Sequence, residues 1–568
     1  MYRSYFHTFF TRQWARPNYR RHLVIATLSS GTLGFGLTKL RASPNESSDT
    51  SASPPLSSLV RAYTVYSMCS IPSLVDYSPQ IFRILSSIPV VKQITEAFVR
   101  VTFFNQFVGG DSARDTIPLI RSLRAANKGT LLGYCVEVDA NSAVSNHISG
   151  KGSAPHKRFV EEMIRSIDAG ADFEDSLGNH ESLDRRTWIA VKITALLPDA
   201  HALIKLSNHI IKTRLSQSAQ VIPFPGCPTP SDLSVLYASK QTSDLTQMDI
   251  DSLRELHADL ERICVRARER GVKVIIDAEY SWYQPALDAL QLSLMRKFNT
   301  VDHTSNDVQP LVYGTWQAYL RRTPGHLAEA LRDARKHNYA LGVKLVRGAY
   351  HGYEVAAHNG GGSKHGSVSI SPDPEPPVWT TKPETDACYN SSVRTLVEAV
   401  AADIRSSRAA NSRSVRGSWP ISRTSRKDSG ITHRAPRIAV LFGTHNWESC
   451  DAILDELVKA GLASKVESRE EGKQTVVSVR EETLQRVAIA QLYGMYDELT
   501  DSLVDRTISK APLVMKYVPY GVLSEVMPYL GRRAVENKSV LGQGAAARER
   551  KRVWKQICTR ISNYISYN

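Results

Sequence analysis

The chain has 568 residues and a formal net charge of +15, and its length suits one barrel-sized domain with insertions. The charge is uneven, because residues 1–45 carry +7 and residues 405–437 carry +8, which leaves the rest neutral. The composition therefore argues against a nucleic-acid-binding surface on the fold. Seven scattered cysteines without a CxxC motif indicate a reducing compartment and no cysteine-based metal site.

The N-terminal segment is rich in arginine and holds no acidic residue before Glu46. This composition is typical of a mitochondrial transit peptide. The apolar run Leu23–Leu37 is shorter than the ~20 residues that span a bilayer, so a cleaved presequence is favoured and a membrane anchor stays the alternative. We assign residues 1–58 to the presequence and a linker, and residues 59–107 to an N-terminal helical region.

Eight short apolar runs alternate with helical stretches along the rest of the chain. Runs that are apolar throughout suit parallel strands buried on both faces. Eight strand-then-helix units predict a (β/α)8 barrel over residues 108–545, with a doubly wound open sheet as the alternative. Residues 546–568 form a predicted helical tail. The predicted strands are Leu131–Val138, Trp188–Ile193, Val272–Ile276, Leu311–Gly314, Val343–Val346, Ile438–Phe442, Val487–Leu492 and Val514–Val518.

Three stretches interrupt the alternation, near residues 208–246, 352–377 and 404–436. The first two are rich in proline or glycine, and the third in serine and arginine. Such compositions predict mobile surface insertions.

Polar residues lie in or just after nearly every predicted strand. In a barrel of parallel strands these positions share one mouth, where ligands bind. Single polar caps are common, but so many together predict a binding site at the mouth. The residues are Glu137, Asp139, Lys192, Asp277, Glu279, Gln317, Lys344, Arg347, Thr444, His445, Asn446, Gln491 and Tyr517.

The segment after Gly521 has helical spacing and places Tyr529, Arg532, Arg533 and Glu536 on one face. This face is either solvated or a clamp in which two guanidinium groups hold one carboxylate. In the clamp, Glu536 orients an arginine.

Six motifs in order resemble those of mitochondrial flavin-dependent proline dehydrogenase, in its fungal-type eukaryotic form. The family folds as a distorted (β/α)8 barrel whose last helix lies over the mouth. The resemblance implies FAD-dependent oxidation of L-proline to Δ1-pyrroline-5-carboxylate, the first step of proline catabolism to glutamate. It also implies electron transfer to ubiquinone or another respiratory quinone, and peripheral association with the matrix side of the inner mitochondrial membrane. The motifs are Trp188-Ile-Ala-Val-Lys-Ile-Thr-Ala-Leu, Ile276-Asp-Ala-Glu, Trp316-Gln-Ala-Tyr, Lys344-Leu-Val-Arg-Gly-Ala-Tyr, Thr444-His-Asn and Tyr529-x-x-Arg-Arg-x-x-Glu-Asn.

The same resemblance implies a role for each matching residue. Asp277 and Lys344 are the expected catalytic pair, with Lys344 near flavin N5 and Asp277 balancing the charges of the clamp. The expected substrate residues are Lys192, Leu345, Tyr517, Tyr529, Arg532, Arg533 and Glu536. The expected FAD residues are Gln317, Lys344, Val346, Arg347, Gly348, Ala349, Thr380, Lys382, Thr444 and His445.

Several alternatives stay open. Bacterial members show the arginine and lysine around Leu345 in reverse order, which affects the geometry expected at N5. Hydroxyproline dehydrogenase is the nearest rival, although the bulk of Tyr517 favours plain proline. A basic RNA- or membrane-binding protein that uses residues 405–437 is a rival from another class. The general base is not assigned.

Overall fold

The computed structural model describes most of the chain from residue 55 onward. The predicted presequence, including Leu23–Leu37, and the strand-end acids Glu137 and Asp139 lie outside the described residues. So do residues 417–437, which form most of the third predicted insertion. The described ranges are 55–135, 155–178, 185–215, 222–238, 244–301, 309–360, 368–416, 438–466, 476–541 and 545–567.

Eight parallel strands close into a barrel, in the order β1-β2-β3-β4-β5-β6-β9-β11, with β11 paired back onto β1. Each of the eight predicted runs contributes a strand, so the barrel prediction is confirmed and the open sheet is wrong. Strands β7, β8 and β10 form a separate small sheet that the sequence did not predict. The strands are β1 Lys128–Tyr134, β2 Thr187–Val191, β3 Val274–Ile276, β4 Val312–Gln317, β5 Leu341–Val346, β6 Ile438–Gly443, β7 Ala463–Val466, β8 Val476–Val479, β9 Val487–Leu492, β10 Thr507–Ile508 and β11 Val514–Tyr520.

The barrel interior is filled by one buried cluster that includes two large aromatic rings. Trp188 of β2 and Tyr313 of β4 lie with their ring centroids 5.2 Å apart, and they share one buried cluster with the alanines of β6 and β9. Neighbouring strand residues point the other way, into a larger cluster between the barrel and its helices. This alternation decides which strand residues can reach the mouth.

Helices follow the barrel strands and also precede the first one. A capping box between Thr246 and Asp249 begins the long helix Gln247–Arg270, and Gly271, with φ of +64°, ends it. The helices are Leu56–Cys69, Pro72–Asp76, Ser78–Ser86, Pro89–Val99, Asn105–Phe107, Ile117–Ala125, Pro155–Ser176, His201–Leu215, Ser234–Tyr237, Gln247–Arg270, Gln284–Phe298, Thr323–Lys336, His351–His358, Lys382–Arg416, Trp447–Lys459, Glu481–Leu484, Asp497–Asp505, Leu523–Leu541 and Ala545–Tyr567. Among these helices, none is long and apolar enough to cross a membrane.

The predicted insertions begin later than the sequence suggested. Residues 208–215 continue a helix in which Ile210 is buried, and residues 352–358 form a helix around the buried Glu354. Residues 404–416 extend the helix Lys382–Arg416. These parts of the predicted insertions are therefore helical. Residues 404–416 can form a helix although large apolar residues are scarce, because alanine and arginine favour helices.

The helix Leu523–Leu541, called here the lid helix, lies over the mouth of the barrel. Tyr134 at the end of β1 donates a hydrogen bond from its hydroxyl to Glu525 in the first turn of this helix, at 2.6 Å. Val526 and Tyr529 of the lid helix pack in a second core cluster, against which Tyr517 of β11 also packs. The expected helix over the mouth is therefore confirmed.

Candidate active site

Three residues in or just after different strands form a polar cluster at the mouth, in which Asp277 and Lys344 are buried. Lys344 of β5 donates a hydrogen bond from Nζ to Asp277 Oδ1 at 2.5 Å, and the Tyr517 hydroxyl donates to Asp277 Oδ2 at 3.1 Å. The ammonium of Lys344 also lies 5.1 Å from the centroid of the Tyr517 ring. Lys344 is therefore a buried and paired cation.

A glycine in β1 makes room for the Tyr517 ring. A Cβ atom placed on Gly133 would lie 2.3 Å from the Tyr517 hydroxyl, which is far inside contact distance. A larger residue at position 133 would push this hydroxyl away from Asp277. The position of the cluster thus depends on the pairing of β1 with β11, where Gly133 lies beside Pro519.

A second group of contacts joins the ends of β2, β3 and β4. Glu279 accepts hydrogen bonds from the backbone N–H and the hydroxyl of Thr194, at 3.1 and 2.5 Å. Burial raises the pKa of Glu279, while the Thr194 contacts and the charge of Lys192 oppose that rise. Gln317 donates from Nε2 to the backbone oxygen of Glu279 at 3.0 Å. The Gln317 Oε1 atom is buried and has no partner among the described residues.

Arg347 joins the ends of β5 and β6 to two helices. Its Nε donates to Asp386 Oδ1 at 2.7 Å, its Nη1 to Thr444 Oγ1 at 2.6 Å and its Nη2 to Ser449 Oγ at 2.7 Å. Asp386 also accepts from Lys382 Nζ at 2.5 Å. Burial alone would raise the pKa of Asp386, but the hydrogen bonds from the two cations lower it. This carboxylate therefore offsets part of the positive charge of Arg347 and Lys382.

His445 is a neutral ring in which one N–H donor has no partner among the described residues. Its Nε2 accepts a hydrogen bond from the backbone N–H of Leu492 at 3.1 Å, so the ring proton lies on Nδ1. Burial and the nearby charges of Lys516 and Arg533 lower the pKa of His445 to about 3. Within the described part of the chain, its buried Nδ1 has no hydrogen-bond partner.

The two arginines of the lid helix have different surroundings. Arg533 is 3% exposed; it donates from Nη2 to Glu536 Oε1 at 2.6 Å and lies 4.8 Å from the Tyr529 ring. Arg532 is half-buried and lies 5.1 Å from the ring of Tyr350, which follows β5. The face is therefore engaged in the fold, and the solvated-face alternative does not describe it. Where the structure is described, the Tyr529 hydroxyl and Arg533 Nε are buried without a partner.

Leu345 does not reach the mouth, which corrects one expectation. It is fully buried in the cluster between the barrel and its helices, together with Val343. Because side chains alternate along a strand, Lys344 points into the barrel and both of its neighbours point away. Leu345 is therefore not proposed as a wall of the substrate pocket.

Other expected cofactor residues lie around the mouth with different exposure. Val346 pairs with Gln317 at the strand ends, and Ala349, Thr380 and Lys382 are exposed. Gly348 has φ of +121°, and a Cβ there would lie 2.5 Å from the Tyr319 ring, so the turn requires glycine.

Sequence reasoning assigned no role to Tyr350, Asp386 or Ser449. Tyr350 ends one of the motifs that carried the resemblance. Ser449 is at the start of a helix whose N-cap, Asn446, accepts a hydrogen bond from the Ser449 backbone N–H at 2.8 Å. No signal in the sequence could have shown that all three contact the expected arginines.

The buried groups without partners fit a polar ligand of mixed character. An unpaired buried polar atom costs free energy, so such atoms favour a ligand that pairs them. Gln317 Oε1 offers an acceptor and His445 Nδ1–H a donor, which suits the alternating N–H and carbonyl groups of a flavin and the hydroxyl and phosphate oxygens of FAD. The residues present therefore fit FAD. The described residues contain no group of His, Cys, Asp and Glu side chains arranged to hold a metal ion.

Comparison with known proteins finds one family over most of the chain. The family model described as proline dehydrogenase matches residues 142–545. Proline dehydrogenase 2, mitochondrial, of Arabidopsis thaliana is 28% identical and covers 90% of this chain and 89% of the relative. Probable proline dehydrogenase, mitochondrial, of Schizosaccharomyces pombe is 25% identical, with coverage of 89% and 88%. Hydroxyproline dehydrogenase of Rattus norvegicus is also 25% identical, with coverage of 89% and 92%.

The fold has a counterpart among solved structures. Proline utilization A from Bdellovibrio bacteriovorus, inactivated by N-propargylglycine, superposes with a TM-score of 0.51 at 17% identity. The match covers 85% of this chain and 41% of the bacterial chain. At this identity the likeness concerns the fold alone.

Proposed function

The chain belongs to the proline dehydrogenase family of oxidoreductases, and we propose that it oxidises L-proline to Δ1-pyrroline-5-carboxylate with FAD as its cofactor. The observation that carries the proposal is the buried guanidinium of Arg533 over the barrel mouth, beside the unpaired Tyr529 hydroxyl. A buried cation with an unused N–H donor favours an anionic ligand. The carboxylate of an amino acid supplies that anion.

Substrate binding is proposed to involve cations on both sides of the pocket. Arg533 and Arg532 approach from the lid helix, and Lys192 approaches from the end of β2. Glu536 holds Arg533 from the side at 2.6 Å and leaves Nε available. Tyr529 and Tyr517 pack in one cluster, so their rings would enclose the apolar part of the proline ring.

The reaction removes a hydride from the ring carbon next to nitrogen and a proton from the nitrogen, which leaves an imine. Bound FAD supplies the hydride acceptor. Lys344 is held by Asp277 and faces Tyr517. It would therefore provide a fixed positive charge near the expected position of flavin N5. Asp277 accepts hydrogen bonds on both oxygens, which suits a residue that positions the other two.

The relatives named above include mitochondrial proteins, which supports a mitochondrial location for this chain. We further propose a respiratory quinone as the electron acceptor and peripheral association with the matrix side of the inner membrane. The product would then enter the conversion of proline to glutamate. Residues 142–545, which match the family, contain each proposed site residue.

Hydroxyproline is the alternative substrate, because a relative with that name is as similar as the yeast relative. The Tyr517 hydroxyl already donates to Asp277, so it is not free to serve as the partner that a substrate hydroxyl would need. This contact favours plain proline.

An absorbance spectrum of the purified protein tests cofactor and substrate together. We expect an oxidised flavin band that bleaches on anaerobic addition of L-proline, and more slowly with hydroxyproline at the same concentration. Protein that contains no flavin after reconstitution, or flavin that neither amino acid reduces, would refute the proposed function. Faster bleaching by hydroxyproline would reverse the substrate assignment.

A further inference from the structure

Two helices before the barrel expose an apolar surface that the proposed chemistry does not use. Helices Ser78–Ser86 and Pro89–Val99 pack against each other and are called here the hairpin. Ile84, Val90 and Ile94 are 67%, 67% and 65% exposed, and no residue of the second helix is buried. Exposed isoleucines so close together differ from the scattered apolar residues of an ordinary surface.

The charges around this surface are mostly positive. No acidic residue occurs between Asp76 and Glu96, whereas Arg83 and Lys92 lie within that stretch. An apolar helical face flanked by basic residues is the pattern of helices that lie in the interface of a bilayer.

The C-terminal helix extends the positive charge to the base of the hairpin. Residues 545–567 contain six Lys or Arg and one acidic residue, Glu549. Arg550 donates a hydrogen bond from Nη1 to Ser70 Oγ at 3.3 Å, and Ser70 directly precedes the segment that leads into the hairpin. Lys551, Trp554 and Lys555 are exposed on this helix, which combines cations with an aromatic ring suited to a headgroup layer.

A continuous apolar layer joins the hairpin to the candidate site. Val99 at the end of the hairpin and Phe103 pack against the cluster that contains Phe107 of the N-terminal region and Tyr529 of the lid helix. Tyr517 packs against the same cluster. An apolar molecule that leaves a bilayer at the hairpin would therefore find apolar side chains on its way to the mouth of the barrel.

We propose that the hairpin inserts into one leaflet of a membrane and that the C-terminal helix binds anionic headgroups beside it. The inference deepens the proposed function, on which it rests for the apolar electron acceptor. The occupant is lipid rather than a protein partner, because the surface combines exposed isoleucines with exposed cations, which suits acyl chains below anionic headgroups. Lys92 of the hairpin lies 3.9 Å from Glu96, so Lys551 and Lys555 of the C-terminal helix supply the main headgroup contacts.

Vesicle flotation tests the surface without relying on turnover. The full chain is mixed with vesicles of phosphatidylcholine and phosphatidylglycerol, or of phosphatidylcholine alone, and floated through a density gradient. We expect binding to both, with stronger binding to the anionic vesicles. The double variant Ile84→Glu/Ile94→Glu should lower the partition coefficient roughly tenfold or more on both. The variant Lys551→Glu/Lys555→Glu should remove only the preference for anionic lipid.

A matched control places the same substitution on exposed apolar residues elsewhere. Met248 and Ile508 are 77% and 55% exposed, and Met248→Glu/Ile508→Glu should float like the parent. Unchanged melting temperature and unchanged proline oxidation with a soluble dye should show that each variant is folded. If the hairpin variant loses flotation but keeps dye-linked activity, the docking proposal holds independently of the acceptor.

Three outcomes would overturn the proposal. In the first, the parent chain does not float. In the second, the hairpin variant floats like the parent, because the basic N-terminal segment is sufficient for binding. In the third, the parent is a dimer that becomes monomeric in the hairpin variant, while flotation is unchanged. The last would assign the hairpin to a second copy of the chain. Absence of proline oxidation in a chain that still floats would refute the proposed function and leave the membrane surface standing.

Discussion

Arg532 of the lid helix lies over the ring of Tyr350, with 5.1 Å between the guanidinium carbon and the ring centroid. Tyr350 follows β5 directly, and its ring centroid is 4.2 Å from that of Tyr280, which follows β3. The lid helix therefore contacts the segments after two strands through a pair of tilted rings. Arg533, one residue further along, contacts Tyr529 and Glu536 of its own helix.

This contact predicts a specific effect for the substitution Tyr350→Leu. A cation over an aromatic ring contributes roughly 0.5–2 kcal/mol, so its loss should raise KM for proline about 2- to 30-fold. Steady-state kinetics with a soluble acceptor measure the change. The control is Tyr353→Leu, because Tyr353 is exposed and its ring lies 6.2 Å from Tyr280. An equal rise in both variants would show that the effect does not come from Arg532.

Arg533 should matter more than Arg532 for substrate binding. Replacing Arg533 with Met removes a hydrogen bond between charged groups but keeps most of the packing of the stem. Such a bond contributes roughly 1.5–3 kcal/mol, so KM for proline should rise on the order of 10- to 100-fold. The flavin-to-protein ratio should stay at the parental value.

The effect of Glu536→Gln on KM can be compared with the effect of Arg533→Met. This substitution weakens the contact at 2.6 Å that holds the guanidinium, so it should give a smaller rise in KM than Arg533→Met. If Arg532→Met and Arg533→Met both keep the parental KM, the carboxylate clamp is wrong and the proline assignment loses its main support.

The strands could be predicted because parallel barrel strands are apolar along their whole length. Val487–Leu492 was predicted with the bounds that the structure shows. The small sheet that contains Val476–Val479 was missed, since its strands are short and half-exposed and resemble loops in composition. The helix Lys382–Arg416 was ended too early because its second half has few large apolar residues.

The sequence predicted which residue types form the site, but it predicted less well which way each side chain points. Lys344 and Leu345 are neighbours in one motif, yet only Lys344 faces the mouth, because direction depends on the register of β5 within the closed barrel. The sequence indicated a cation at Arg347 but not its partner Asp386, which lies 39 residues further along the chain. Such pairings are set by tertiary packing and carry no local pattern.

His445 should bind the cofactor as a neutral donor across the physiological pH range. Because burial lowers its pKa to about 3, its protonation does not change between roughly pH 5 and 8. His445→Leu should therefore lower FAD affinity by about 5- to 30-fold at both ends of that range. Fluorescence titration of the apoprotein with FAD measures it. An effect that appears only at the acidic end would show that the charged imidazole is the binding form.

Glu354 gives the chain a pH dependence of stability that one substitution can remove. Burial raises the pKa of Glu354 from 4.5 to about 7, while hydrogen bonds from Ser281 oppose the rise. The folded state therefore holds this proton more tightly than the unfolded state does. Its contribution to stability is complete below about pH 4.5, falls as the pH rises through about 7 and is constant above that. The full shift corresponds to at most roughly 3 kcal/mol.

Glu354→Gln keeps the shape of the side chain and removes the titration. The difference in melting temperature between the variant and the parent should therefore move in favour of the variant as the pH rises from 5 to 8. Glu384→Gln is the control, because Glu384 is exposed and its hydrogen bonds with Thr381 lower its pKa. Its titration then lies below the range of the experiment in both the folded and the unfolded state, so the difference should stay nearly constant between pH 5 and 8. Parallel melting curves for parent and Glu354→Gln at every pH would show that Glu354 is ionised throughout, so that its contacts with Ser281 outweigh the cost of burial.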